Sequence, residues 1–303
     1  MLKRVAHPEI IVAMAAAVWG LFWIPLRVFE HHGLDPAWVI LSQFISPLAF
    51  MVPFAILRLR RKQLTGIEQY GTGLLVGGGV VMYCESLLLT DVVRALILFY
   101  AMSAWGTLVE VGLMGRQFTL WRGLALVLSL SGLLTILGLG DPLLLSMNIG
   151  DLLALLSGIV FTFGAMRVRQ TLETSVFEQV FAFFFFGSIV ALGFSLLPLA
   201  ALGQPPAVEQ LITLTPWIVL MAVGILIPAM WGLYWGSRYV DPGRLGILLQ
   251  LEAVVGISSA ALLAGEPFGS REAIGAVLVI SAGLIEVFAN KGNEITDGKR
   301  PIY

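Results

Sequence analysis

Glu252 is the residue whose position in this chain most invites chemistry. It stands in an apolar run about halfway between Arg244 and Glu266. A charged group at the centre of a bilayer costs at least ~2.5–3.5 kcal/mol on insertion scales, so it usually faces a cavity or a partner. An acid in that place carries a proton, holds a substrate ammonium when ionised, or serves as a protonated donor of a structural hydrogen bond. Met102 occupies the matching position of an internal repeat, so the repeat itself does not demand a carboxylate there. Earlier in the chain Tyr100, Ser103, Thr107 and Glu110 follow one another at spacings of three, four and three. That spacing makes a polar stripe on one helix face, which either lines a cavity or bonds a neighbouring helix.

Aromatic residues surround these groups in sequence. Tryptophans near the ends of a span are ordinary interfacial anchors, but Trp19, Trp105 and Trp231 sit too near mid-depth for that. Packing and an aromatic cavity wall are the two alternatives for them, and the wall is the reading adopted. The candidate substrate-binding set is therefore Trp19, Tyr83, Tyr100, Ser103, Trp105, Phe161, Trp231, Tyr234 and Gln250, with Glu252 as the proton or ammonium site. Such a pocket suits a zwitterionic or neutral amphipathic solute. Stacking would hold a side chain, cation–π attraction an ammonium, and helix ends or Tyr100 and Gln250 a carboxylate.

Other chemistries are excluded by inventory. No Lys or Arg lies at the centre of any span, which disfavours phosphorylated substrates. The histidines are His7, His31 and His32 and the one cysteine is Cys84, so no metal site, Cys/His pair or disulfide framework is expected. No Gly-x-Ser-x-Gly elbow occurs. Gly138-Leu-Gly140-Asp141 spells the string of intramembrane aspartyl proteases, but Asp141 precedes Pro142 in a loop and no second intramembrane aspartate accompanies it. The expectation is a protein that is no enzyme and needs no cofactor. Glu85, Glu110 and Glu286 fall nearer span ends and read as interfacial; Arg27, Arg94 and Arg271 read as solvated ends.

Composition dictates the elements that must position these residues. With 58% apolar and 12% charged residues and a mean hydropathy of +0.92, the chain cannot be a soluble domain. Each crossing needs roughly 20 apolar residues, so 303 residues with short loops hold about ten. Apolar runs fall at about 9–29, 36–57, 70–89, 92–113, 121–138, 149–169, 177–199, 215–237, 244–264 and 272–290. All must be helices, since lipid-facing backbone has to satisfy its own hydrogen bonds. No cleavable leader is predicted. The net charge of −1 and the scatter of basic residues in short loops give no basic face for nucleic acid. Of the 18 Lys and Arg residues, all but Arg27, Arg94 and Arg271 fall on one side, which predicts both termini cytoplasmic.

The chain is duplicated. DVVRALILFYAMSAWGTLVEVGLMGRQF at 91–118 returns as DPGRLGILLQLEAVVGISSAALLAGEPF at 241–268, with Asp91, Arg94, Gly106, Gly115 and Phe118 among the repeated positions. A second echo sets Trp23-Ile-Pro-Leu-Arg27 against Phe163-Gly-Ala-Met-Arg167. Five crossings per half is an odd number, so the second half must enter from the opposite side, as an inverted-topology repeat. The halves are 1–140, the first five-helix repeat, and 141–303, the second with a short cytoplasmic tail. Gly73-x-x-x-Gly77 and Gly232-x-x-x-Gly236 read as packing motifs within the monomer.

These features carry a resemblance. Trp19-Gly20 in the first span, two inverted five-helix halves, and Gly265-Glu266-Pro267-Phe268 followed by Gly275 and Gly283 look like the EamA branch of the drug/metabolite transporter superfamily. Length and aromatic-rich spans most resemble the YddG-type amino-acid exporters. One departure is Arg116, where many relatives have a second Gly-Glu pair; it favours a structural reading of Glu266. The resemblance implies a basket of ten helices around a central cavity, with helices 1, 3, 4, 6, 8 and 9 lining it and helices 5 and 10 outside. It implies a monomeric, multi-pass protein of the bacterial inner membrane that exports amino acids, aromatic or otherwise neutral, by alternating access. The residues leave energy coupling open, since one mid-depth carboxylate permits proton exchange and facilitated diffusion needs none; facilitation is the reading adopted. The alternatives are a proton-coupled exporter of drugs or other small metabolites, and a channel-like protein.

Overall fold

The computed structural model describes residues 7–60, 68–112, 115, 118–137, 147–168, 174–240, 242–265 and 268–296. Arg116, Asp141, Glu266 and Pro267, and the side chains of Glu110, Arg244 and Glu286, lie outside the described residues. Every regular element among the described residues is helical, as a lipid-facing backbone requires. In chain order the helices are α1 (Pro8–Gly20), α2 (Trp23–His31), α3 (Pro36–Arg60), α4 (Glu68–Leu89), α5 (Val92–Tyr100), α6 (Met102–Gly112) and α7 (Leu120–Leu137). They continue as α8 (Ile149–Val168), α9 (Val176–Ser195), α10 (Val208–Met221), α11 (Ile227–Gly236), α12 (Pro242–Leu263) and α13 (Ser270–Thr296). Seven helical stretches among the described residues are long and apolar enough to cross a membrane, and Leu120–Ile136 and Ile247–Leu263 are shorter apolar helices.

Three stretches that read as uninterrupted spans are not regular. The first divides into α1 and α2, the fourth into α5 and α6, and the eighth carries a π-helical turn at Ala222–Leu226 between α10 and α11. Proline explains two of these. Pro25 has no N–H to return to Leu21 O, so Ile24 N takes that carbonyl instead, at 3.1 Å, and the helix turns. Pro228 likewise withdraws a donor just beyond the π turn.

The packing is reciprocal between the halves. α1 lies against α11 and α12, while α8 lies against α4, α5 and α6. The first helix of each half thus packs on the third and fourth of the other. α7 pairs with α13. The small-residue motifs allow close helix approaches: a Cβ on Gly77 would stand 2.6 Å from Phe183 O of α9, and one on Gly232 would stand 3.0 Å from Ile11 Cγ2 of α1. The duplication extends to the loops, because Gly115 and Gly265 hold φ of 64° and 68°, a left-handed conformation that glycine adopts without the Cβ penalty. α9 begins with a capping box in which Ser175 N donates to Glu178 Oε2 at 2.9 Å and Glu178 N to Ser175 Oγ at 3.3 Å.

Candidate functional site

The two broken helices and α12 meet at one depth. α1 ends at Gly20, where a Cβ would stand 2.6 Å from Glu252 O and 3.0 Å from Gly256 N. Leu96 of α5 packs against the same face of Gly256, 2.9 Å from where its Cβ would be, with Gly20 O at 3.2 Å. One turn further along α12, Trp23 Nε1 donates to Ser259 Oγ at 3.0 Å and so ties α2 to the same helix. The break after Tyr100 falls where neighbouring hydroxyls reach the helix carbonyls. Thr162 Oγ1 lies 3.4 Å from Met102 O and Ser129 Oγ 3.5 Å from Ala101 O. The ladder tightens there, with Ala104 N bonding Ala101 O at 2.9 Å.

Glu252 is the centre of this junction. The hydroxyls of Tyr83 from α4 and Tyr100 from α5 both hydrogen-bond its carboxyl group. Both tyrosines are buried, whereas Glu252 is half-buried. An aromatic wall adjoins them. Tyr83 stacks on Phe99 with ring centroids 4.3 Å apart, and Phe99 meets Phe161 of α8 edge to face at 5.5 Å and Tyr100 at 5.3 Å. A carboxyl group flanked by two hydroxyls and aromatic faces provides hydrogen bonding, charge and cation–π attraction together, the combination that recognises an ammonium group.

The structure therefore brings together Tyr83, Tyr100, Phe161 and Glu252 from the sequence-derived set, and adds Phe99. Phe99 carried no periodic signal because every residue of α5 except Arg94 is buried. Trp19 is buried close by, edge-on to Phe22 at 4.9 Å and Phe183 at 6.5 Å. Two of the remaining candidates contact other helices. Ser103 Oγ donates to Ser129 Oγ of α7 at 3.1 Å, because the break at Ala101 turns it away from Tyr100. Gln250 lies against Gly283 of α13, on the side of α12 away from the tyrosines. Tyr234 is buried in the core cluster, Trp105 is half-buried, and Trp231 is 39% exposed and outside that cluster. Since interhelical hydroxyl bonds in membranes contribute about 0.6 kcal/mol on average, Ser103→Ala is expected to lower unfolding stability by roughly that amount. Substrate KM should stay within twofold, as measured by flux titration.

Glu85 does not match its interfacial reading. It is fully buried, and neither carboxylate oxygen has a hydrogen-bond partner among the described residues. The arginines differ from expectation too, since they serve helix ends. Arg27 donates to Leu87 O and Thr90 O beyond α4 at 3.1 and 3.0 Å. Arg271 donates to Thr135 O and Ile136 O of α7, each at 2.9 Å. Arg238 donates to Thr174 O, and to Gln179 Oε1 at 3.0 Å. Arg58 lies 4.3 Å over the Phe177 ring. At the ends of α4 and α7 the guanidinium groups of Arg27 and Arg271 match the negative end of the macrodipole, whereas Arg238 and Arg58 contact the first turn of α9, so these cations are committed to the scaffold. Among the described residues no group of three or more His, Cys, Asp or Glu could hold a metal ion.

Among curated proteins, none matches this chain. A solved structure titled "Crystal structure of protein" is similar in fold, with a TM-score of 0.58 at 14% identity over 95% of this chain and 98% of its own. The model of the EamA-like transporter family matches residues 7–138 and again residues 148–287. Two family matches in tandem agree with the reciprocal packing of the halves and the paired left-handed glycines, and the chain belongs to the EamA-like transporter family.

Proposed function

We propose that this protein is a secondary transporter that exports amino acids, aromatic or otherwise neutral, across the bacterial inner membrane by alternating access. The observation that carries this reading is the Glu252 carboxyl group between the Tyr83 and Tyr100 hydroxyls, beside the Tyr83, Phe99 and Phe161 rings. It lies where two discontinuous helices meet, the place at which inverted-repeat transporters bind their substrates. Glu252 takes the ammonium group and the rings take the side chain. Ten spans with both termini in the cytoplasm and two inverted halves complete the reading, and the excess of Lys and Arg on one side supports it. Transport is facilitated diffusion, with Glu252 a binding group. A second reading, proton-coupled export of other small metabolites, is favoured by the same carboxyl group if it exchanges its proton for substrate in each cycle.

Uptake of a labelled amino-acid panel into proteoliposomes tests both, with and without a pH gradient. Saturable, competable uptake is expected that ignores the gradient and falls at least tenfold in Glu252→Gln through a raised KM. Uptake driven by the gradient and uncoupled from it in Glu252→Gln selects proton exchange. Flux that fails to saturate points to a channel, and absence of flux for every amino acid sinks the substrate assignment.

A further inference from the structure

Asp151 is fully buried in the first turn of α8, at the centre of a closed polar network that the substrate site does not use. Its Oδ1 stands 2.7 Å from Arg94 Nε and accepts from Thr90 Oγ1 at 2.9 Å, while its Oδ2 accepts from Asn148 N at 3.1 Å. Asn148 Nδ2 donates to Thr90 Oγ1 at 3.0 Å, and Asp151 N to Asn148 Oδ1 at 2.8 Å. Arg27 reaches the same junction from α2 through Thr90 O. The network thus joins α2, the α4–α5 turn and α8, and with them the first half of the chain and the second.

The two ends of the molecule differ in a way that the duplication alone would not produce. Ile97 and Leu98 of α5 are both 0% exposed, whereas their repeat equivalents on α12 are Ile247, at 38%, and Leu248, half-buried. Tyr100 is buried and its equivalent Gln250 is half-buried. The α5 segment is thus fully enclosed while its α12 counterpart is partly uncovered, an inequality that two like halves caught in one conformation of an alternating-access cycle would display.

We propose that Arg94 and Asp151, supported by Thr90 and Asn148, form a latch that holds the α5 end of the transport pathway shut and opens once in each cycle. The proposal rests on the alternating-access reading above. A buried ion pair resists separation because each charge loses its partner in a poorly solvated place. Here the carboxylate keeps partners when Arg94 withdraws, namely Asn148 N and the positive end of α8. Arg94, 17% exposed even when latched, is released toward the end of the molecule, where water can solvate it. The latch is therefore firm but reversible.

The test needs no substrate. In a Cys84→Ser background, Ile97→Cys and Ile247→Cys are reacted separately with a membrane-impermeant maleimide applied to each face of oriented vesicles. With the latch intact, Ile247→Cys labels readily and Ile97→Cys hardly at all. Asp151→Asn and Arg94→Gln are expected to raise labelling of Ile97→Cys at least tenfold and to lower that of Ile247→Cys. Thr90→Val and Asn148→Leu leave the ion pair in place and should give smaller shifts in the same direction, so they report even if the Asp151 variant does not fold. Unchanged labelling of Ile97→Cys in a folded variant overturns the latch, as does a rise at both positions together. A labelling shift as expected, in a protein that moves no amino acid, upholds the latch and rejects only the substrate.

Discussion

Gly20→Val is expected to abolish transport and to destabilise the protein by about 1–3 kcal/mol, the usual cost of overpacking a filled interior. A Cβ at this position would stand 2.6 Å from the Glu252 carbonyl oxygen, and 3.0 Å from both Gly256 N and Val255 Cβ. Two of those three atoms are backbone, which no rotamer change can move aside. Relief must come from separating α1 and α12. That separation stretches the Trp23–Ser259 bond one turn away and shifts Glu252 relative to the two tyrosines on α4 and α5. Since a displacement of 1 Å in a binding constellation is enough to lose much of its function, flux should fall at least a hundredfold, with Gly20→Ala intermediate. The checks are proteoliposome flux and thermal unfolding of the purified protein in detergent. Native flux in Gly20→Val would show that α1 and α12 do not need this approach.

Glu85→Leu is expected to do the opposite to stability, raising it by roughly 2–3 kcal/mol, because it removes an acid whose insertion costs about that much. Glu85 is fully buried in α4 with both oxygens unpartnered among the described residues. Leucine is of similar length and would fill the space with apolar contacts. A costly polar group without local compensation is found mainly where a protein uses it, so the stabilised variant should also lose at least tenfold in flux. Denaturant unfolding and flux on the same preparation separate the two effects. Equal or lower stability in Glu85→Leu would mean that the carboxyl group has a partner and is structural.

Much of the architecture was legible in the chain because its causes are local or compositional. The apolar runs dictate helices, since a backbone in lipid has no other way to satisfy its hydrogen bonds. The repeat at 91–118 and 241–268 foretold paired loops, and Gly115 and Gly265 share a left-handed turn accordingly. Small-residue motifs foretold close helix contacts, which Gly77 and Gly232 make. The interruption after Leu21 could have been found as well: Pro25 stands inside the first span, and a proline there must unseat one carbonyl.

The site was legible only in part, and its residues show why. Tyr83, Tyr100, Phe161 and Glu252 were chosen as polar or aromatic residues in apolar helices, and they converge. Ser103 and Gln250 satisfied the same criterion, yet bond Ser129 and pack on Gly283. Phe99, one aromatic among many in apolar helices, was not chosen and stands at the centre of the wall. Residue type and spacing establish that a polar side chain deep in a span must meet something other than lipid, because left unpartnered in hydrocarbon it is costly. They do not say which neighbour it meets. That is set by the rotation of each helix about its axis and by breaks such as the one at Ala101, which depend on helices far away in the chain. The same holds for the arginines and Asp151. Composition and repeat specified a membrane protein of two like halves, whereas the commitment of Arg27, Arg94 and Arg271 to helix ends and an ion pair, and the unequal enclosure of α5 and α12, arise from long-range packing that no local pattern encodes.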